Sequence, residues 1–276
     1  MTWQANLDIN YAFESDKTVA RYVHKGPLRI LQSLYPEGEK VCHNVLVHPP
    51  GGLVGGDTLD ISVDVGEGAH GLITTPGATR FYKSLGEQSL QRTRVNLQAH
   101  ARLEWLPLEA IAYSGCQAEN RLTMQLAPDA ELIGWDTTAL GLPNANLPFD
   151  LGTFTQHLEI PAVWLERGRV AAHDDKLLNS PIAFAGQKCM ASIFFATGSA
   201  LTRGRKEQAL DVARAVLNAH PLKPTSGATC PNDHVVIVRV LAPMVEPAMV
   251  LLKQVWAEWR QELWSVKPNA PRIWAM

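Results

Sequence analysis

No two cysteines lie close together in this sequence. Cys42, Cys116, Cys189 and Cys230 are far apart and form no CxxC pair, which excludes a zinc ribbon and a disulfide-dense secreted scaffold. They read as reduced, mostly structural thiols. No apolar run reaches the roughly 18 residues that span a bilayer; the nearest, from Ile182 to Leu201, is broken by Gln187 and Lys188. The opening segment carries Asp8, Glu14 and Asp16 where a signal peptide needs an uninterrupted apolar core, so a cytoplasmic location is expected. Excess charge is also missing. Lys plus Arg at 25 against Asp plus Glu at 27 leaves a net charge of -2, which gives no global field for a nucleic acid backbone or an anionic membrane. No GxSxG elbow, HExxH helix or His-x-His pair occurs.

What is present is the composition of a folded chain with many turns: 46% hydrophobic residues, 19% charged, 20 Gly and 18 Pro. At roughly 150 residues per domain, 276 residues allow one large domain or two small ones. The absence of a Gly/Ser/Pro-rich linker or a fixed-period repeat favours a single domain over 1–276, with a split near residue 180 as the alternative.

From Val19 to about Ile160 the apolar residues recur at every second position. Leu59, Ile61, Val63 and Val65 alternate with Thr58, Asp60, Ser62 and Asp64, and Leu122, Met124 and Leu126 alternate with Arg121, Thr123 and Gln125. Turn clusters at Pro49-Pro50-Gly51-Gly52, Pro76-Gly77 and Pro128-Asp129 separate the runs. Short antiparallel strands are the economical reading, with one face solvated or covered by a partner. Helical spacing occurs only in the last third. Leu210, Ala213, Val216 and Leu217 share a face before His220-Pro221, and Met249, Leu252, Val255, Trp256, Trp259 and Leu263 form a stripe that Pro247 opens and Pro268 ends. The expected fold is therefore mainly β to about residue 200, with stacked antiparallel or mixed sheets. Two helices, at about 204–219 and 247–264, occupy the C-terminal third.

Two glycine motifs invite a nucleotide. Gly51-Gly52-Leu53-Val54-Gly55-Gly56-Asp57-Thr58 has P-loop spacing, but Asp57 stands at the lysine position and a strand follows instead of a helix. A carboxylate there repels phosphate, so the isolated chain is expected neither to bind nor to hydrolyse GTP. Gly66-Glu67-Gly68-Ala69-His70-Gly71 matches GxGxxG, yet β-branched residues and Pro76 follow, and a hairpin turn fits better. Soft metal ligands cluster only around Cys42-His43 and His48, without diagnostic spacing. Carboxylates say more. Asp57, Asp60, Asp64, Glu104, Glu109, Asp136 and Glu166 sit among apolar runs, so each needs a cationic or hydrogen-bonding partner or a hydrated cavity.

Several stretches carry a family likeness: His48-Pro49-Pro50-Gly51-Gly52-Leu53-Val54-Gly55-Gly56-Asp57, then Thr75-Pro76-Gly77-Ala78-Thr79-Arg80-Phe81-Tyr82-Lys83-Ser84. Leu103-Glu104-Trp105-Leu106-Pro107, Trp135-Asp136, Ala139-Leu140-Gly141 and Pro271-Arg272-Ile273-Trp274 follow in order. In these the chain resembles the urease accessory protein UreD, also called UreH, over nearly its whole length. The resemblance implies a mainly β fold with helices toward the C-terminus. It implies a non-enzymatic metallochaperone that binds the urease apoprotein and, with UreF and the GTPase UreG, delivers nickel. No tightly bound cofactor is implied, only transient Ni²⁺ in a water-filled passage. For that path the expected ligands are Asp57, Asp60, Asp64, Asp136 and Glu166, with His48. Trp264 and Trp274 are the expected contacts to UreF. A hydrolase or transferase of unfamiliar chemistry is the alternative.

Overall fold

A computed structural model describes residues 2–275. The chain opens with an antiparallel pair, β1 (Gln4–Glu14) and β2 (Lys17–Lys25), followed by β3 (Arg29–Leu34), β4 (Val41–Val47) and the short β5 (Gly52–Leu53). From β6 (Thr58–Val65) it winds as a flattened coil. β6 lies in one sheet and β7 (His70–Thr74) with β8 (Thr79–Phe81) in the other; β9 (Ser89–Leu97) returns to the first. β10 (Arg102–Leu106) and β11 (Ala110–Ala112) cross over again, then β12 (Cys116–Leu126), β13 (Glu131–Leu140) and β14 (Gly152–Ile160) continue the alternation. β15 (Trp164–Ala171), a one-turn helix α1 (Asp175–Asn179) and β16 (Cys189–Thr197) follow. The rest is α2 (Arg203–Ala219), the hairpin β17 (Ser226–Asn232) and β18 (Val235–Ala242), α3 (Val245–Trp264) and a 3-10 turn, Arg272–Ala275.

One sheet has the order β15-β14-β12-β9-β6-β1-β2, and the main path of the other is β17-β18-β16-β13-β10-β7-β4-β3. The coil corrects the expected antiparallel pairing. β1, β6, β9, β12 and β14 are parallel neighbours, as are β4, β7, β10 and β13, and only the outer pairs are antiparallel. Half-buried alternation looks the same in both arrangements; here each crossover between parallel neighbours is a strand of the opposite sheet instead of a helix. For the same reason Gly66–Gly71 is a corner from one sheet to the other, with Gly68 at φ 69°, and not a hairpin turn. Gly71 lies flat against the Tyr11 ring, where an added Cβ would come within 2.9 Å.

Two apolar layers result. Leu59, Ile61, Val63 and Val65 meet Leu103, Leu132 and Phe194 between the sheets. Ile133, Trp135, Phe195 and Val238 meet Leu217, Leu252, Val255 and Trp259 beneath the helices. β13 is therefore buried on both faces along almost its whole length, whereas the first sheet keeps a polar outer face. Both expected helices are present, α3 beginning at Val245 so that Pro247 is its third residue, still among the positions whose N–H has no partner within the helix. Among the described residues no helix is long and apolar enough to cross a membrane.

Candidate functional site

Three passes through the second sheet break at proline. Pro49 and Pro50 separate β4 from β5, Pro76 separates β7 from β8, and Pro107 separates β10 from β11. Proline cannot donate to a ladder, so three aligned breaks leave room. A cavity of about 220 Å³ lies there, lined by His48, Thr75, Arg80, Gln91 and Trp105 among others. Burial lowers the His48 pKa, and the charge of Asp57 works against that shift.

A line of polar side chains leads inward from this cavity. Gln91 faces the inter-sheet space from β9 and donates to Asn120 Oδ1 at 3.2 Å. Asn120 in turn donates to Asp136 Oδ2 at 2.9 Å, and Gln156 donates to Asp136 Oδ1 at 2.5 Å. Asp136 is thus a carboxylate set between two sheets and held by two carboxamides. Burial, aided by the charge of Glu166, pushes its pKa up to about 6 against the hydrogen bonds from Gln156, Thr138 and Asn120. Across the β13–β16 register lies Ser192, whose buried hydroxyl has no hydrogen-bond partner. Gln156, Glu166, Ser192 and Arg239 then line a second cavity of about 380 Å³ at the side of the sandwich, bordered by β15 and β17. Two cavities are therefore joined by a chain of oxygen and amide groups.

The expected path residues divide. Asp136 and Glu166 lie along this line and His48 opens onto its first cavity. Asp57 is 4% exposed and closes the glycine turn, accepting from Trp3 N at 2.7 Å and Val54 N at 2.9 Å, so its carboxylate is occupied by backbone. Asp60 and Asp64 are on the outer face, away from any interior passage. Arg92 grips Asp60 through two bonds of 2.7 and 2.8 Å, and Asn96 donates to Asp64 at 2.8 Å. The strand parity that buries Leu59 and Ile61 turns both acids outward. Cys42, His43 and His48 do not converge either: His43 meets Glu37, and Cys42 sits by Asn44. Among the described residues no three His, Cys, Asp or Glu side chains form a metal-holding group.

Trp264 and Trp274 are not free contacts. Trp264 is 5% exposed, donates to Glu131 and packs edge-on against His70, because position 264 continues the 256, 260 face of α3. Trp274 is half-buried, donates to Thr74 and lies 5.1 and 5.2 Å from the Trp135 and Trp256 rings. Glu104, fully buried, anchors the same helix: it accepts from His70, Trp256 Nε1 and Arg260 Nε at 2.8, 2.6 and 3.1 Å. Burial pushes its pKa up, but His70, Arg260 and Trp256 outweigh that and hold it below the usual value. A further cavity of about 540 Å³ lies apart from the polar line near the start of α2, where Arg102 and Arg205 bracket Glu131.

A coiled two-sheet β protein with a helical layer on one side and a polar seam between its sheets is the class these observations define. The chain belongs to the UreD urease accessory protein family, whose description it matches over residues 4–275. It is 66% identical over 276 residues to "Urease accessory protein UreD" of Polaromonas naphthalenivorans, covering 100% of both chains. The protein of the same name from Albidiferax ferrireducens is also 66% identical over 276 residues with 100% of both covered. That of Methylibium petroleiphilum is 46% identical over 294 residues, with 99% of each covered. A role in urease maturation is consistent with this membership.

Proposed function

We propose that the protein serves urease maturation as a non-enzymatic scaffold, in a cytoplasmic complex with UreF and the GTPase UreG, and that it passes Ni²⁺ between its sheets to the urease apoprotein. The observation that carries this reading is Asp136, a buried carboxylate between two cavities, held only by neutral amides and a hydroxyl. A structural ion pair needs a cation opposite a buried acid. Asp136 has none bonded to it, so its charge is available to a passing one. Oxygen and amide ligands bind divalent nickel weakly, which suits transfer, whereas a closed Cys/His cage retains it. GTP handling falls to the partner, since Asp57 stands at the P-loop lysine position and its carboxylate caps the turn.

The test compares Asp136→Asn and Glu166→Gln with the wild type for melting temperature, co-purification with UreF and urease activation. Activation is expected to fall about 10–100-fold, the usual cost of disturbing a metal-handling position, with complex formation preserved and the melting temperature not lowered. Full activation in both variants, or a loss that follows the melting temperature, would remove nickel passage from these residues.

A further inference from the structure

At the side cavity the polar line meets a positive charge. Arg239 is the one charged residue of β18, at the parity that faces the inter-sheet space with Val235 and Ile237. Its Nε lies 3.0 Å from each Glu166 oxygen, Nη2 also bonds Oε2, and Nη1 donates to Thr229 Oγ1 at 3.2 Å. Both oxygens of Glu166 are thereby occupied by a guanidinium. The pair joins β15 of one sheet to β18 of the other across the cavity. It is also partly solvated, with the Arg239 side chain 45% and the Glu166 side chain 23% exposed, so the contact is weak and separable. Behind it the Ser192 hydroxyl is buried without a partner beside Asp136, an oxygen ligand that nothing else in the fold uses.

We propose that the Arg239–Glu166 pair is a gate on this mouth and that the guanidinium competes directly with an arriving divalent cation for the Glu166 carboxylate. Closed, the guanidinium occupies both oxygens of Glu166, a carboxylate on the cavity wall, and cancels its charge. Open, with the guanidinium swung to solvent, Glu166, Ser192 and Asp136 offer successive oxygen ligands into the seam. An ion pair that merely ties the sheets together makes a different prediction, because removing its arginine then lowers stability and does nothing for cation binding. The gate rests on the passage reading above, and its test separates the two.

Titrate Ni²⁺ calorimetrically into wild type, Arg239→Gln, Glu166→Gln and the double variant, and record each melting temperature. Removing the competing cation is expected to tighten Ni²⁺ binding in Arg239→Gln on the order of tenfold. The gain should vanish in the double variant, and Arg239→Lys, which keeps the charge but loses the fork, should fall between. Unchanged affinity in Arg239→Gln overturns the gate, as does a gain that survives loss of Glu166. If Arg239→Gln folds poorly, the Arg239→Lys comparison decides alone. A tightened Arg239→Gln alongside normal activation by Asp136→Asn keeps the gated cation site and removes only the passage. An inert Arg239→Gln beside an inactive Asp136→Asn does the reverse.

Discussion

Asp136 titrates near pH 6 because burial disfavours its charge more than Gln156, Thr138 and Asn120 favour it. Its folded pKa is raised from 3.8, so this residue favours the folded state fully below about pH 4, and that advantage is lost as pH rises through 6. Above pH 6 the native chain holds a desolvated charge that the unfolded chain would solvate. Asp136→Asn is therefore expected to stabilise at pH 8 by up to about 3 kcal/mol, from about two pK units at 1.36 kcal/mol each. The gain should shrink through pH 6 and vanish near pH 4; urea unfolding across that range measures it. Asp136 was legible in the sequence because an acid inside an apolar run is conspicuous. Its companions were missed, since Gln91, Asn120 and Gln156 carry no charge, and only their inward parity beside Thr93, Leu122 and Leu158 marks them. Arg239 left a clearer trace, a single cation within Val235–Ala242, which strand alternation would have turned inward.

Both long helices were legible from their apolar stripes, yet what fastens α3 was not. Arg260 is fully buried and bridges Glu104 and Glu37, contacts 156 and 223 residues away in sequence that no local pattern announces. Arg260→Met would leave two carboxylates without their cation and is expected to cost about 3–5 kcal/mol. Replacing Glu104 by Gln in that background should recover part of the loss, as a double-mutant cycle in urea would show. The tryptophans misled for a related reason. Four of them gather near the C-terminus, which suits an interface and a core alike, and only the 256, 260, 264 spacing separates Trp264 from the exposed face. Strand direction was illegible altogether, because alternation fixes which residues turn inward but not which strand lies alongside.

For the whole molecule, the outer face of the seven-stranded sheet and the inter-sheet seam are separate surfaces of the same strands. Asp60 belongs to the former: Arg92, then Arg94, hold its pKa below the usual carboxylate range. Asp60→Asn should change stability by less than about 1 kcal/mol and leave urease activation at the wild-type level, checked by melting and by the same activation assay. The helical layer has a consequence for how the protein is made. During synthesis most of the second sheet, from β3 to β16, emerges before α2 and α3, and its outer face, with Leu72, Leu106, Ile133 and Trp135, waits for those helices to cover it. Glu104 meanwhile lacks Arg260 and Trp256, which follow more than 150 residues later. A nascent chain stalled before Val245 therefore presents a sticky sheet with an acid at its centre partnered only by His70, a natural client for holdase chaperones. Slow elongation through the last third would prolong that exposure, so soluble yield should depend on translation rate there more than on the stability of the finished fold.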